Sequence, residues 1–228
     1  MEKLLICFDV DGTLIDDTVF IWQTLHDKMN TDPIEREYWA NAYWTGKITY
    51  EQWAQKDVEM WIKMRVNRSH LLLAIEALKP MQGALETINI LHKQSHYLGI
   101  ISGSLDIALD QAIPDYKTLF DYVFLNHLVF DDADMLKGVI PTPFDIEHKA
   151  SGLRKMAHEL NMPMNRTVFI GDNFNDIEVA KSAGCSIAFN CKSEELASVA
   201  DHVVPGPDIR AVIPIIEQYW AGVTLKAR

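Results

Sequence analysis

Two aspartates follow the first apolar segment of the chain, and their spacing suggests chemistry directly. Residues 4–8 form a short apolar run that leads into the sequence DVDGTL, which contains Asp9, Asp11 and Gly12. Two carboxylates two residues apart at the end of an extended strand can point toward one site, and Gly12 permits the sharp turn that follows. One carboxylate could attack phosphorus while the other transfers a proton. The alternatives are a surface acidic turn and a calcium loop, but a calcium loop needs further oxygen ligands where this chain continues apolar.

A second acidic motif, GDNFND, contains Asp172, Asn175 and Asp176 and also follows an apolar run directly. Open α/β sheets bind ligands at the carboxyl ends of their strands, so we expect the two motifs to converge. Asp172 could then share one divalent ion with Asp9, and Asp176 could reinforce the site from the start of the next helix. Taken alone, this motif could be a helix cap with a glycine turn.

The crowding of these four carboxylates predicts a bound cation. Without one, the carboxylates would repel and raise one another's pKa. Mg²⁺ fits because it binds oxygen ligands and shares its coordination between carboxylates and a substrate phosphate. Zinc is disfavoured, since neither motif supplies His or Cys ligands at the expected spacing.

Two further segments could bind a phosphoryl group. The sequence ISGS places Ser102 and Gly103 at the end of another apolar strand. The Ser102 hydroxyl could hydrogen-bond a phosphoryl oxygen, and the Gly103 amide is not shielded by a side chain. Lys149, near the start of a predicted helix, could neutralise charge on the phosphoryl group and on Asp9. Alone, the first segment could be an ordinary turn and the lysine a solvated surface group.

The elements that must position these residues alternate between strand and helix patterns. Apolar runs predict strands at residues 4–8, 97–101, 123–125, 167–170 and 186–189, and helical periodicity predicts helices at 83–94, 145–160 and 176–182. This alternation predicts an α/β fold with a Rossmann-like parallel sheet and flanking helices. Residues 16–79 contain five of the six tryptophans and no clear strand. We therefore expect a helical insertion after the first strand, and a small flap formed by strands at 128–130 and 135–139.

The amino-acid composition of the chain restricts the kinds of ligand and partner that it can bind. The chain has 228 residues and a formal net charge of −11, which argues against a nucleic-acid or anionic membrane surface. Its three cysteines form no Cys-x-x-Cys pair and favour a reducing, cytoplasmic compartment. The N-terminus does not resemble a signal peptide, and no segment has the roughly 20 apolar residues of a membrane span. A small phosphorylated metabolite is the expected ligand, and the protein could be a monomer or a homodimer.

The motifs together resemble the haloacid dehalogenase superfamily of phosphatases, since DVDGTL, ISGS, Lys149 and GDNFND occur in the family's order. The insertion is similar to the helical cap of the phosphoserine phosphatase-like branch, and GKITYEQ at residues 46–52 is similar to a segment of those enzymes. The resemblance implies an α/β core of residues 1–15 and 80–228, with a cap domain of residues 16–79.

The resemblance also implies a role for each motif residue. Asp9 would be the nucleophile that forms an aspartyl-phosphate, and Asp11 the general acid and base, whose backbone carbonyl also binds Mg²⁺. The remaining roles would be phosphate binding by Ser102, Gly103, Lys149 and Asn175, and metal binding by Asp9, Asp172 and Asp176. The expected activity is magnesium-dependent hydrolysis of a small phosphate monoester.

The substrate is a separate question, because phosphoserine phosphatases use a cap glutamate and a cap arginine to bind the serine moiety. Those places fall on Thr18 and Asp57, which predicts a substrate other than phosphoserine. Trp44 and Tyr50 align near substrate-facing residues of the relatives, which favours a flatter or more apolar leaving group. Two alternatives are a phosphotransferase or mutase of the same superfamily and a catalytically silent protein that binds a phosphorylated ligand.

Overall fold

The computed structural model describes residues 2–16, 18–146 and 148–226, and it consists of a mixed sheet, flanking helices and one helical insertion. The strands are β1 (Leu5–Phe8), β2 (Ile15–Asp16), β3 (Lys79–Pro80), β4 (Tyr97–Leu105), β5 (Tyr122–Phe130), β6 (Leu136–Ile140), β7 (Thr167–Gly171), β8 (Cys185–Phe189) and β9 (His202–Val204). The helices are α1 (Ile21–Met29), α2 (Pro33–Trp44), α3 (Tyr50–Lys63), α4 (Arg68–Ala74), α5 (Ala84–Lys93), α6 (Asp106–Ala112), α7 (Tyr116–Leu119), α8 (Lys149–Glu159), α9 (Ile177–Ser182), α10 (Glu194–Val199) and α11 (Ile213–Lys226).

The main sheet has seven strands in the order β6-β5-β4-β1-β7-β8-β9, and every pair is parallel except β5 with β6. The central strand β1 is fully buried, as its continuous apolar sequence predicts for a parallel strand covered on both faces. It pairs with β4 on one side and β7 on the other. The carboxyl ends of these three strands are therefore neighbours, and the predicted α/β fold is confirmed.

The helices α1 to α4, which we call the cap helices, lie between β2 and β3. These two short strands pair with each other, so the chain leaves the core and returns to it side by side. Pro33 occupies the first turn of α2, where its missing N–H costs nothing, and Thr49 begins α3 with a capping box to Gln52. The insertion therefore has the helical character that we predicted, while its division from the core at residues 16 and 79 stays a prediction.

Three predicted boundaries differ from the structure. β4 continues to Leu105, so Ser102 and Gly103 lie within the strand. The predicted flap is not separate, because β5 runs unbroken to Phe130 and pairs with β6. Helix α8 begins at Lys149 rather than at residue 145, because Ile146 adopts a left-handed φ of 46° that a helix cannot contain. Residue 147 of that predicted helix lies outside the described residues.

Over residues 2–16, 18–146 and 148–226, none of the helices combines the length and the apolar character needed to cross a bilayer.

Candidate active site

The two acidic motifs meet at the carboxyl ends of β1 and β7, as the sequence predicts. The Asp9 N–H donates to the Ile170 carbonyl at 2.9 Å, which extends the ladder between these strands to the first motif. One carboxylate oxygen from each of Asp9, Asp172 and Asp176 lies within 4.8 Å of the others, and all three residues are buried. The motifs, which lie far apart in sequence, therefore form one cluster.

Lys149 lies inside this cluster and is completely buried. Its Nζ donates to Asp9 Oδ1 at 2.6 Å and to Asp176 Oδ1 at 2.7 Å. Burial alone would lower the pKa of Lys149, but the charges of Asp176 and Asp9 raise it above its ordinary value. The ammonium is therefore held charged beside Asp9, where it can balance negative charge on a neighbouring phosphoryl group.

The other two carboxylates of the cluster are not fully compensated by the protein. Burial, together with the charges of Asp9 and Asp176, raises the pKa of Asp172, and Lys192 only partly opposes this with a hydrogen bond of 2.5 Å. Burial also raises the pKa of Asp176. The three residues offer only oxygen donors, so the cluster suits Mg²⁺ better than zinc.

Asp11 follows Asp9 but its side chain has different partners. Its Oδ2 accepts from the Ile21 N–H at the start of α1 and its Oδ1 accepts from the Ser104 hydroxyl, both at 2.7 Å. Burial raises the pKa of Asp11 to about 7, although these hydrogen bonds oppose the rise. A carboxyl group that titrates near neutral pH can both donate and accept a proton there. The carboxylate of Asp11 is not one of the three clustered oxygen donors.

The predicted phosphate-binding residues surround the same point. Ser102, Gly103 and Asn175 line the cavity that contains Asp9 and Asp11. Gly103 has no room for a side chain, since a Cβ there would overlap the Asp145 carboxylate. This close approach explains why a glycine follows Ser102.

The cap helices form the opposite wall of this cavity, which has a volume of about 230 Å³. On α3 the wall consists of Tyr50, Trp53, Ala54 and Asp57, whose spacing places them on one helix face. The Tyr50 hydroxyl accepts from Asn126 Nδ2 at 2.8 Å and thereby connects this wall to the core. Trp44 also lines the cavity and is 54% exposed. The aromatic character predicted for the pocket is thus present.

The two positions predicted to determine specificity have different locations. Asp57 lines the cavity and is 2% exposed. The structure does not bring Thr18 to this cavity, because its buried hydroxyl pairs with the Thr24 hydroxyl at 2.9 Å and it borders a shallower neighbouring pocket instead.

Sequence reasoning missed several residues of the site. Ser104 is the last residue of the ISGS segment, but no role was predicted for it. Asp145, Lys192 and Arg36 gave no signal, because each reaches the site from a loop or helix with no local motif. Trp22 also lines the cavity, and its Nε1 donates to the Gly103 carbonyl at 2.9 Å.

The fold and the site together define a Rossmann-like α/β protein with a buried cluster of aspartates at the tips of its central strands. The family model for haloacid dehalogenase-like hydrolases matches residues 4–184. Because this match covers more than half of the chain, the chain belongs to that family.

Individual relatives place the chain within the phosphoserine phosphatase-like branch, as predicted. Phosphoserine phosphatase of Methanocaldococcus jannaschii is 29% identical over 95% of this chain and 99% of its own length. Phosphoserine phosphatase of Campylobacter jejuni subsp. doylei is 30% identical over 95% of this chain and its full length. A solved structure described as a phospho-aspartyl intermediate analogue of phosphoserine phosphatase has a TM-score of 0.74 at 29% identity, covering 95% of this chain and all of that one. The predicted class, a phosphoric monoester hydrolase, is confirmed.

Proposed function

We propose that this chain is a magnesium-dependent phosphatase that hydrolyses a small phosphate monoester through an aspartyl-phosphate on Asp9. The observation that carries the proposal is the position of Asp9, whose carboxylate contacts the buried Lys149 ammonium and faces the cavity lined by Ser102 and Gly103. A nucleophile beside a fixed positive charge and phosphate-binding groups fits covalent phosphoryl transfer.

The residues of the chain account for the proton and bond changes of both steps. In the first, an Asp9 oxygen bonds to phosphorus, the bond from phosphorus to the leaving oxygen breaks, and Asp11 gives that oxygen its proton. In the second, Asp11 takes a proton from water, the water oxygen bonds to phosphorus, and the bond to Asp9 breaks to release phosphate. The neutral titration point of Asp11 suits this exchange of roles.

The carboxylates of Asp9 and Asp172 and the main-chain carbonyl of Asp11 would hold Mg²⁺, with Asp176 in support. When bound, the ion supplies positive charge to the phosphoryl oxygens and to the carboxylate cluster. Lys149 holds the Asp9 carboxylate in place through its hydrogen bond to Oδ1. The turn from Asp172 to Asp176 is fixed by the Asp172 N–H, which donates to Asp176 Oδ2 at 3.0 Å.

Phosphoserine is the first substrate to test. The sequence argument from Thr18 and Asp57 predicts a different substrate, but the names of the relatives point toward phosphoserine, and they match nearly the whole chain. The cytoplasmic location and a monomeric or homodimeric state stay predictions.

The test is release of inorganic phosphate from an aryl phosphate and from phosphoserine, with Mg²⁺ and with EDTA. We expect turnover that needs Mg²⁺ and that falls at least about 10³-fold in Asp9→Asn. Asp132→Asn, in the exposed turn between β5 and β6, is the matched control and should keep full activity. A wild-type protein that is inert toward a broad panel of phosphate esters would refute the proposal and favour a silent binding protein. Conversion of one sugar phosphate into another without phosphate release would favour a mutase.

A further inference from the structure

A bulge in β4 interrupts its pairing with β5 at the segment that carries the predicted phosphate-binding residues. Before the bulge, Ile101 pairs with Phe124. After the bulge, Leu105 pairs with Asn126, so residues 102–104 of β4 face only one residue of β5. Buried backbone groups that leave a strand ladder need other hydrogen-bond partners. The conformation of this segment therefore depends on the side chains around it.

Two side chains donate to the Gly103 carbonyl in the middle of this bulge. Asn126 Nδ2 donates at 2.7 Å from β5, and Trp22 Nε1 donates at 2.9 Å from the cap helix α1. Asn126 is completely buried, and its Oδ1 accepts from the Thr142 N–H at 2.9 Å, which directs the NH₂ end of the amide toward the bulge. The same Nδ2 also donates to the Tyr50 hydroxyl. The Gly103 carbonyl is thus held by one donor from the core and one from the cap.

The other side of the same peptide unit carries the Ser104 N–H. This N–H donates to Ser102 Oγ at 3.1 Å, and the Ser104 hydroxyl donates to Asp11 Oδ1 at 2.7 Å. Because a peptide unit is planar, the direction of the Gly103 carbonyl also sets the direction of the Ser104 N–H. Ser102 Oγ accepts this N–H and keeps its own hydrogen to donate to a phosphoryl oxygen. A rotation of this peptide would therefore remove the support of the Ser102 hydroxyl.

We propose that Asn126 and Trp22 are positioning residues, which fix the peptide between Gly103 and Ser104 and thereby aim the Ser102 hydroxyl at the phosphoryl group. This inference rests on the proposed phosphatase function and adds to it two residues outside the acidic and phosphate-binding motifs. Since Trp22 belongs to the cap and Asn126 to the core, the peptide has both of its donors only when α1 lies against the core. The cap thus contributes to phosphate binding through this carbonyl.

The probe for this arrangement is inorganic phosphate, measured as an inhibitor of aryl phosphate hydrolysis in the presence of Mg²⁺. Trp22→Phe keeps an aromatic ring but removes the N–H, and Asn126→Leu removes the amide at similar volume. We expect each variant to raise the inhibition constant of phosphate, and to lower kcat/KM for the aryl phosphate, roughly five- to tenfold, as for one hydrogen bond left unmade.

Trp220→Phe is the matched control. The indole of Trp220 on α11 is also half-buried and also donates to a backbone carbonyl, that of Glu2, but it does not line the cavity. Its loss should leave both constants within about twofold of the wild-type values.

The same substitutions in a Ser102→Ala background separate positioning from a general structural role. Ser102→Ala lacks the hydroxyl that the peptide orients, so the addition of Trp22→Phe or Asn126→Leu should raise the inhibition constant by less than about a further twofold. Damage to packing alone would act equally in both backgrounds and would give fully additive increases. Where Asn126→Leu does not fold, Trp22→Phe decides the question alone.

The other outcomes count against the inference. Inhibition constants within twofold of the wild-type value in the single variants, or increases that are the same with and without the Ser102 hydroxyl, would overturn the positioning role and leave the proposed function intact. A wild-type protein that releases no phosphate from the aryl ester with Mg²⁺ would refute the proposed function, and with it the inference that rests on it.

Discussion

The two walls of the cavity differ in how far their buried charged side chains are paired within the protein. On the core wall, Lys149 contacts both Asp9 and Asp176, and Asp11 accepts hydrogen bonds on both oxygens. On the cap wall, Asp57 and Arg36 each keep a shielded atom without a partner among the described residues. The core wall therefore holds its charged groups in fixed contacts, as the proposed phosphoryl chemistry requires, whereas the cap wall keeps polar atoms that the described residues do not satisfy. Under the proposed function, the chemistry belongs to the core wall and the choice of ester to the cap wall.

Removal of the Lys149 ammonium should have the largest effect on the stability and activity of the core wall. In Lys149→Met the buried carboxylates of Asp9 and Asp176 lose their shared partner, and breaking a buried pair in this way typically costs about 3–5 kcal/mol. We expect that loss in the free energy of unfolding, measured by urea denaturation in EDTA, and at least a hundredfold fall in kcat with Mg²⁺.

The matched control for this variant is Lys155→Met, the same substitution on the exposed face of α8. Lys155 pairs with Glu159 at the surface, so its loss should change stability by less than about 1 kcal/mol. Equal stability of Lys149→Met and the control in EDTA would show that the core wall does not depend on its paired charges.

The stability of the cap wall should depend on the packing of aromatic rings rather than on paired charges. Trp61 is fully buried, stacks on Trp22 with ring centroids 5.8 Å apart, and contacts the His26 ring at 4.7 Å. Trp61→Ala removes this support from behind Asp57, and truncation of a buried tryptophan typically costs about 3–5 kcal/mol. Thermal unfolding should detect the loss, and Mg²⁺ should not restore it, in contrast to charge variants of the core wall. A loss below about 1 kcal/mol would show that the cap helices do not pack through this ring.

The sequence was informative where chemistry is encoded locally. The convergence of Asp9 and Asp172 followed from two motifs at the ends of apolar runs, because parallel strands bring their carboxyl ends to one edge. Lys149 was a candidate from its position near a predicted helix start, and the family's order of motifs favoured it, but its contact with both Asp9 and Asp176 could not be read from spacing. The other motif residues on the core side of the cavity were predicted because they also follow apolar runs whose carboxyl ends meet at this edge of the sheet.

The cap wall could not be predicted in this way. Arg36 reaches the cavity through the packing of α2 against α3, and no local pattern distinguishes it from other helix-surface arginines. The resemblance places Thr18 at a substrate-binding position of the relatives, but the structure directs its hydroxyl to Thr24 instead. The start of α8 was misplaced because the left-handed backbone at Ile146 is rare for a β-branched residue and has no sequence signal.

A fall in pH should also change stability in opposite directions through titratable groups of the two walls. Burial raises the pKa of Asp11 to about 7, above the unfolded value near 3.8, so the folded state binds the proton more readily between these values. Stability of the metal-free protein should therefore rise as the pH falls through about 7, by at most about 1.4 kcal/mol per pH unit from this group. Denaturation in EDTA at pH 8 and pH 6 should show a gain in the wild-type protein that is smaller in Asp11→Asn.

His26, which lies behind the cap wall, should have the opposite effect on the pH dependence of stability. Its folded pKa is lowered by burial, so the unfolded state takes up the proton first and stability falls as the pH drops below about 6.5. His26→Gln should reduce this acid sensitivity, in contrast to Asp11→Asn, which should increase the acid sensitivity of the protein. The same direction of change in both variants would contradict the contrast between the walls.

The smallest expected effect on stability comes from Trp44, the exposed ring at the mouth of the cavity. Because Trp44 is 54% exposed, Trp44→Ala should change the free energy of unfolding by no more than about 0.5 kcal/mol. The ring nevertheless lines the cavity, so its loss should raise KM for the preferred ester several-fold while kcat on the aryl phosphate stays within about twofold. A fall in kcat with unchanged KM would place Trp44 in the chemical step and would remove the separation between a core wall that acts on phosphate and a cap wall that selects its ester.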